Sequence, residues 1–245
     1  MIIRLDEIDS TNEYAKRLVE DGYSSDEMCV VSAQYQTAGK GRRGRGWITP
    51  PGTCLTFSIL YRPGLPTEAC PMITLVMAMA VRAALFDFDI ECQIKWPNDI
   101  IIGGKKLCGI LTEAIPDSDY KVVGCGINLN QEAFPEDLAD KATSILIETD
   151  DCVDEDNLLE SIVGYFEKYA ESLTENKNLS GLMDEYNDML VSKDKEVTVL
   201  DPKGEYEGIS EGINQNGELI VRRPDGSKEL VYAGEVSVRG VYGYV

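Results

Sequence analysis

Apolar residues recur along this chain at two spacings, and the spacing changes where the local chemistry changes. Tyr14, Ala15, Leu18 and Val19 fall at helical intervals after Asp9-Ser10-Thr11-Asn12-Glu13, which reads as an N-cap with a capping box, so a helix ending near Gly22 is expected. Cys29 to Tyr35 and Cys54 to Tyr61 are expected as strands on either side of a glycine-rich basic segment. Pro71 suits the first turn of a buried helix running to about Phe86. Strands follow over Gln93 to Lys95, Asp99 to Ile102 and Lys106 to Ala114, the last two joined by the hairpin glycines Gly103-Gly104, and over Tyr120 to Asn128. Helical spacing returns over Asp154 to Leu173 and Leu179 to Leu190.

Beyond about Ser192 the period shortens to that of strands. Val197 to Leu200, Gly204 to Ile209, Glu218 to Val221, Glu229 to Tyr232 and Glu235 to Arg239 are separated by Asp201-Pro-Lys-Gly204, Asn214-Gln-Asn-Gly217 and Arg223-Pro-Asp-Gly226. Short strands of this kind point to a small barrel, residues 192–245, appended to an α+β unit, residues 1–191, whose mixed sheet is flanked by helices.

Composition then narrows the chemistry. The chain carries 23 Lys+Arg against 43 Asp+Glu, a formal net charge of −20, which disfavours polyanions over most of the surface. Its seven cysteines contain no C-x-x-C pair and read as reduced thiols rather than a disulfide framework or a zinc site. Histidine is absent, which excludes a Ser-His-Asp or Cys-His system and any imidazole base. No secretory signal is visible, and the most apolar stretch, Ile73 to Leu85, is shorter than a membrane span and holds Arg82. A soluble, cytoplasmic protein without a membrane partner is expected.

Against this background, Gly39-Lys-Gly-Arg-Arg-Gly-Arg-Gly-Trp47 sets four cations within six positions. Gly39-Lys-Gly41-Arg-Arg-Gly44 formally spells the dinucleotide fingerprint, but that motif needs a helix to begin on the loop, and Gly46-Trp-Ile-Thr-Pro-Pro-Gly52 cannot start one. A Walker A loop fails as well, since no Gly-Lys-Ser/Thr follows. The segment is left as a glycine-hinged ligand lid, a nucleic-acid patch or a solvated basic run. Its place between two strands of an acidic chain favours the lid.

Further candidates lie downstream. In Lys95-Trp-Pro-Asn-Asp99, Pro97 keeps Asn98 and Asp99 at a strand edge, where Asn98 offers amide hydrogen bonds and Asp99 a proton acceptor or Mg²⁺ contact, unless the segment is only a turn. Lys106 opens a strand and meets either a ligand or solvent. Ser10 either caps its helix or contributes to a site, and Gly124-Cys-Gly-Ile-Asn128 is either a bulged strand or a place where a ligand approaches the backbone.

Together, Ser10-Thr-Asn12, Gln36-Thr-Ala-Gly-Lys-Gly-Arg-Arg-Gly-Arg45, Trp47, Lys95-Trp-Pro-Asn-Asp99, Lys106-Leu-Cys-Gly-Ile-Leu111 and Gly126-Ile-Asn128, in this order, resemble the catalytic core of biotin protein ligases, the biotin–acetyl-CoA-carboxylase ligases. The resemblance implies a biotin/lipoate ligase-like catalytic domain with an SH3-like C-terminal barrel. It also implies ATP-dependent activation of biotin as biotinyl-5'-AMP and its transfer to a lysine of a biotin carboxyl carrier protein. It places Ser10, Thr11, Asn12, Gln36 and Gly109 around biotin, with Lys40, Gly41 and Arg42 in the lid and Lys106 at the biotin carboxylate and α-phosphate. Arg43, Arg45, Trp47, Lys95, Asn98, Asn128 and Arg239 are placed toward ATP or the adenylate. Arg42, Lys106 and Asp99 are the implied catalytic set, Asp99 as a base or Mg²⁺ contact, with ATP and Mg²⁺ required and no structural metal.

Such chemistry also answers the missing histidine, because AMP activates the acyl group and the protein need only position charge. One departure stands out: the family usually has Arg where this chain has Lys40, which keeps the charge and loses bidentate geometry. The chain begins nine residues before Ser10, so the helix-turn-helix of the repressor members, and with it DNA binding, is not expected. The lid is expected to be mobile without ligand. A homodimer remains possible, and the rival readings are a lipoate- or octanoate-transferring relative and a non-catalytic biotin-binding regulator.

Overall fold

The computed structural model describes residues 1–48, 50–201, 204–233 and 237–240. Its first seven strands are β1 (Ile2–Ile8), β2 (Cys29–Gln36), β3 (Cys54–Tyr61), β4 (Gln93–Lys95), β5 (Asp99–Ile102), β6 (Lys105–Ala114) and β7 (Lys121–Asn128). They form one sheet in the order β1-β2-β3-β7-β6-β5-β4, with β1 parallel to β2 and every other pair antiparallel. The expected strands are present. β1 was not legible, because Ile2-Ile3-Arg4-Leu5-Asp6-Glu7-Ile8 keeps no clean period at a half-exposed sheet edge.

Helices cover both faces of the sheet. α1 (Thr11–Glu20) lays Ala15 and Leu18 against Val31, Leu60 and Val122. α2 (Cys70–Asp87) lies on the opposite face, where Phe57, Ile59, Val123 and Ile127 pack beneath it. It is long and apolar enough to cross a membrane by length and composition, contrary to the shorter reading, but it is mostly buried as a core helix. α3 (Ile145–Thr149), α4 (Glu155–Asn176) and α5 (Met183–Met189) complete this side, and α5 is shorter than its periodicity implied.

β8 (Glu196–Leu200), β9 (Tyr206–Ile213), β10 (Leu219–Arg222), β11 (Lys228–Val231) and β12 (Ser237–Gly240) form a second, antiparallel sheet in the order β11-β10-β9-β8-β12. Among the described residues no ladder joins β11 to β12, and this five-stranded antiparallel sheet is consistent with the expected small barrel. Glu235 and Val236 of the expected last strand, and Pro202-Lys203 of the expected turn, lie outside the described residues. The C-terminal sheet shares its core with the main body: Val197, Val199, Ile213, Leu219 and Val221 belong to the same hydrophobic cluster as α2. Trp96 Nε1 donates to Gly217 O at 3.0 Å, and the Asn187 side chain exchanges hydrogen bonds with both backbone groups of Ile213.

Candidate active site

The site arises from a change of character along the central strands. On the α1 face, β3 and β7 begin as apolar floor with Leu60 and Val122, then turn polar or bare through Ser58, Thr56 and Cys54, and through Gly124, Gly126 and Asn128. Gly109, on β6, lies directly opposite Gly126. β7 pairs regularly with both neighbours, so Gly124 to Asn128 is a regular strand rather than a bulged one, and the groups that approach its glycines here are protein side chains. A Cβ at Gly124 would lie 2.2 Å from Asn12 Oδ1, and one at Gly126 would lie 2.4 Å from Trp47 Cε2. Larger side chains would fill the hollow with protein.

A bulge does occur one strand away. The register of β5 on β6 shifts between Ile100 and Ile101, so Leu107 joins Cys108 in the core while Lys106 turns to the cavity side with Gly109. Lys106 Nζ donates to Asp99 Oδ1 at 2.6 Å and sits 5.7 Å from the centre of the Trp47 ring.

Two cavities meet at this point. A narrow slot is lined by Ser10, Thr11, Asn12, Gln36, Lys40, Gly41, Arg42, Lys106 and Gly109, the residues that the resemblance places around biotin or in the lid. A groove of about 420 Å³ is lined by Arg42, Arg43, Arg45, Trp47, Lys95, Asn98, Lys106, Asn128 and Arg239, together with Asp99. Gly41, Arg42, Trp47, Asn98 and Lys106 line both cavities and form the wall between them.

The slot's polar atoms are largely committed to one another. Gln36 Oε1 accepts from Thr11 N at 2.8 Å and from its hydroxyl at 3.2 Å, which leaves the Gln36 amide nitrogen on the lid side, near Gly39. Ser58 donates to Asn12 Oδ1 at 2.6 Å and lies 2.7 Å from Thr11 Oγ1. Asn12 Nδ2 donates to Glu113 Oε2 at 2.7 Å and faces Leu111 O at 3.3 Å. The Asn12 amide therefore acts as a brace within the slot wall rather than as a free recognition group. Ser10 makes no side-chain cap, and Glu13 is drawn to lysines, so the capping box does not form.

The groove is cationic. Among the described residues, seven basic ones line it against a single carboxylate, Asp99. Burial pulls the Lys95 ammonium down to about 8; Asp99 opposes that shift, and Lys106, Arg239 and Arg45 reinforce it. Burial, with Arg43 next to it, also lowers the pKa of Arg42. Arg42 Nη1 donates to Asn98 Oδ1 at 2.8 Å and Nη2 to the carbonyl of Ala233, so the C-terminal sheet holds one end of this guanidinium. Asn128 lines the groove, but its Nδ2 donates to Thr143 O at 2.9 Å. The groove's far wall, which sequence did not reveal, comes from residues 131–142 after β7, with Phe134, Pro135 and Leu138 facing the indole side and Lys141 beside them.

The basic segment itself is a short ribbon. Lys40 bridges to Gly46, Gly41 N donates to Arg45 O at 2.7 Å, and Trp47 N donates to Gly39 O at 2.9 Å, around a 3₁₀ turn at Arg42–Gly44. No α-helix starts on it, in keeping with rejection of the dinucleotide fingerprint. The mobility expected of the lid came from its like charges and the lack of an apolar anchor before Trp47; polar anchors are present, with Lys40 paired to Glu13 at 2.9 Å and Arg42 held at both terminal nitrogens. Asp99 Oδ1 accepts from Lys106, which places its carboxylate at the floor of the groove beside the site expected for nucleotide phosphates.

Comparison with known proteins agrees with this geometry. Residues 5–130 match the Biotin/lipoate A/B protein ligase family, and residues 194–239 match the Biotin protein ligase C terminal domain. The chain is 32% identical to the Bifunctional ligase/repressor BirA of Bacillus spizizenii, over 97% of this chain and 74% of that one. It is 30% identical to the Biotin--[acetyl-CoA-carboxylase] ligase of Paracoccus denitrificans, over 95% and 98% respectively. The solved biotin protein ligase of Aquifex aeolicus, in complex with biotin and ATP, superposes with a TM-score of 0.84 at 28% identity, covering 98% of each chain. A cationic groove beside a partnered slot, on this sheet and with these relatives, places the chain in the biotin/lipoate A/B protein ligase family, among the biotin protein ligases.

Proposed function

We infer that this chain activates biotin with ATP as biotinyl-5'-AMP and transfers the biotinyl group to a lysine of a biotin carboxyl carrier protein or domain of a carboxylase. The observation that carries the reading is the shared wall. A slot built for an uncharged, hydrogen-bonding head group opens, at Lys106 and Arg42, into a groove built for phosphates.

In the first step a biotin carboxylate oxygen attacks the α-phosphorus of ATP, the bond to the bridging oxygen breaks, and pyrophosphate leaves with its electron pair. In the second, the acceptor amine attacks the acyl carbon and AMP departs. Negative charge grows at the α-phosphate in the first step, where Lys106 and Arg42 stand oriented by Asp99, Asn98 and Ala233 O. Asp99 serves here to aim Lys106. Thr11 and Gln36 hold the head group while the indole of Trp47 and the apolar 133–142 wall exclude water. Magnesium would enter with the nucleotide phosphates, and Asp99 is the groove carboxylate that would stand beside it. Seven free cysteines accord with a reducing compartment, the cytoplasm in this reading.

The test is transfer of labelled biotin to a carboxyl carrier domain, with pyrophosphate exchange measured on biotin and on lipoate. ATP-dependent labelling and exchange on biotin are expected. Exchange on lipoate alone, or biotin binding without exchange, would overturn the reading.

A further inference from the structure

The lid's unusual member, Lys40, points away from a ligand role. Its ammonium lies 2.9 Å from Glu13 Oε1, an oxygen that Lys16 Nζ also approaches at 2.9 Å. Lys16 in turn donates to Glu113 Oε1 at 2.8 Å, and Glu113 Oε2 accepts from Asn12 at 2.7 Å. A continuous relay therefore runs from the slot wall through β6 and α1 to the lid, with two carboxylates and two ammoniums that cancel in charge. The two carboxylates inside the relay are also held without Lys40, because Lys16 sits one turn along α1 from Glu13 and bridges to Glu113 on the sheet.

We propose that Glu13 is a positioning residue that latches the closed lid: it holds Lys40 on α1 and, through Lys16 and Glu113, ties closure to the Asn12 brace of the slot. Lys40 bridges to Gly46 across the ribbon, so fixing Lys40 fixes both edges of the lid. A single shared carboxylate oxygen suits a point charge such as the Lys40 ammonium. The Lys40 and Glu13 side chains are 50% and 29% exposed, so an isolated pair would matter little, whereas a pre-set carboxylate within a network loses less entropy on closing. The latch rests on the reading of the slot and lid as the biotin site.

The experiment compares the full chain with Glu13→Gln, Lys40→Met and the double variant. Release of labelled biotinyl adenylate is followed after loading with biotin and ATP, alongside tryptic cleavage at the lid arginines without ligand. Each single variant is expected to speed release about threefold to fivefold, the size of a modest ion-pair loss. The double variant should release no faster than either single one, and salt should accelerate release in the parent more than in Glu13→Gln. Lid cleavage should rise in step while thermal unfolding stays unchanged. Release and cleavage unaltered in Glu13→Gln, or single effects that add in the double variant, would overturn the latch. Absence of adenylate from the parent chain would instead sink the ligase reading, and the cleavage comparison would still decide the latch.

Discussion

The slot and the groove share a wall and are built on opposite terms. The slot is framed by a helix and three central strands, and its polar atoms are mostly satisfied by one another: Ser58 by Asn12, Asn12 by Glu113, and Thr11 by Gln36. The groove is framed by loops and the C-terminal sheet, and it crowds seven cations around one carboxylate. A site that must distinguish one neutral head group gains from internal pairing that fixes the wall's shape and the direction of its remaining donors and acceptors before the ligand binds. A site that must take a polyphosphate gains from stored like-charge repulsion, which the ligand relieves. Recognition and reactivity are thus separated across a few ångströms of protein.

Changes on the wall should fall hardest. Lys106→Ala is expected to lower biotin-dependent pyrophosphate exchange roughly 10²- to 10³-fold at saturating substrates, the usual loss for a transition-state donor. Biotin binding by calorimetry should weaken far less; an equal loss in both would merge the two regions into one. Arg42→Gly should slow adenylation by about 10²-fold and speed adenylate release, because it removes both a cation and the tie to Ala233. Unaltered formation and retention of the adenylate would count against that assignment.

On the slot side, Ser58→Ala leaves Asn12 Oδ1 without its 2.6 Å donor inside a buried wall. A stability loss of about 1–3 kcal/mol by denaturant unfolding is expected, with weaker biotin binding and a near-normal rate once biotin saturates. A fall in the saturated rate with normal binding would reverse the division of labour.

The smallest effect concerns pH on the groove side. Lys95 titrates near 8 in the free protein, below its unfolded value, so it loses charge as pH rises through about 8. The KM for ATP should then climb severalfold, ATP binding above pH 8 should take up protons, and Lys95→Met should flatten the profile. Because the folded pKa is depressed, the cost of the buried charge falls between pH 8 and the unfolded value, and stability rises there relative to Lys95→Met.

Much of this frame was legible. Alternation exposes the strands around the lid, the failure of Gly46 to Gly52 as a helix start removes a false fingerprint, and the basic, amide and glycine residues of both cavities stand out in the motifs that line them. Partners were not legible. Nothing local distinguishes Ser58 from any buried serine or Glu113 from a solvated strand glutamate, because their roles depend on register between β3, β7 and β6 and on α1 above them. A two-residue stride along β3 and β7, picking out Thr56, Ser58, Gly124, Gly126 and Asn128 as one face, was the available signal. The 131–142 wall carried none, since Phe134-Pro135 resembles any loop until it folds across the groove.

The misaligned ladder at Leu107 has a consequence for how such chains are read. Lys106 and Gly109 are separated by an odd interval on a strand whose faces repeat every two residues, and only the extra residue lets them share a side. Straightening β6 at constant length would turn Lys106 toward α2 and hand its place to Leu107, with no change in composition. The bulge is a parity correction written into the length of the strand. In comparing this chain with others, the count of residues between lysine and glycine is as informative as their identities, and a gap there marks altered chemistry sooner than a substitution would.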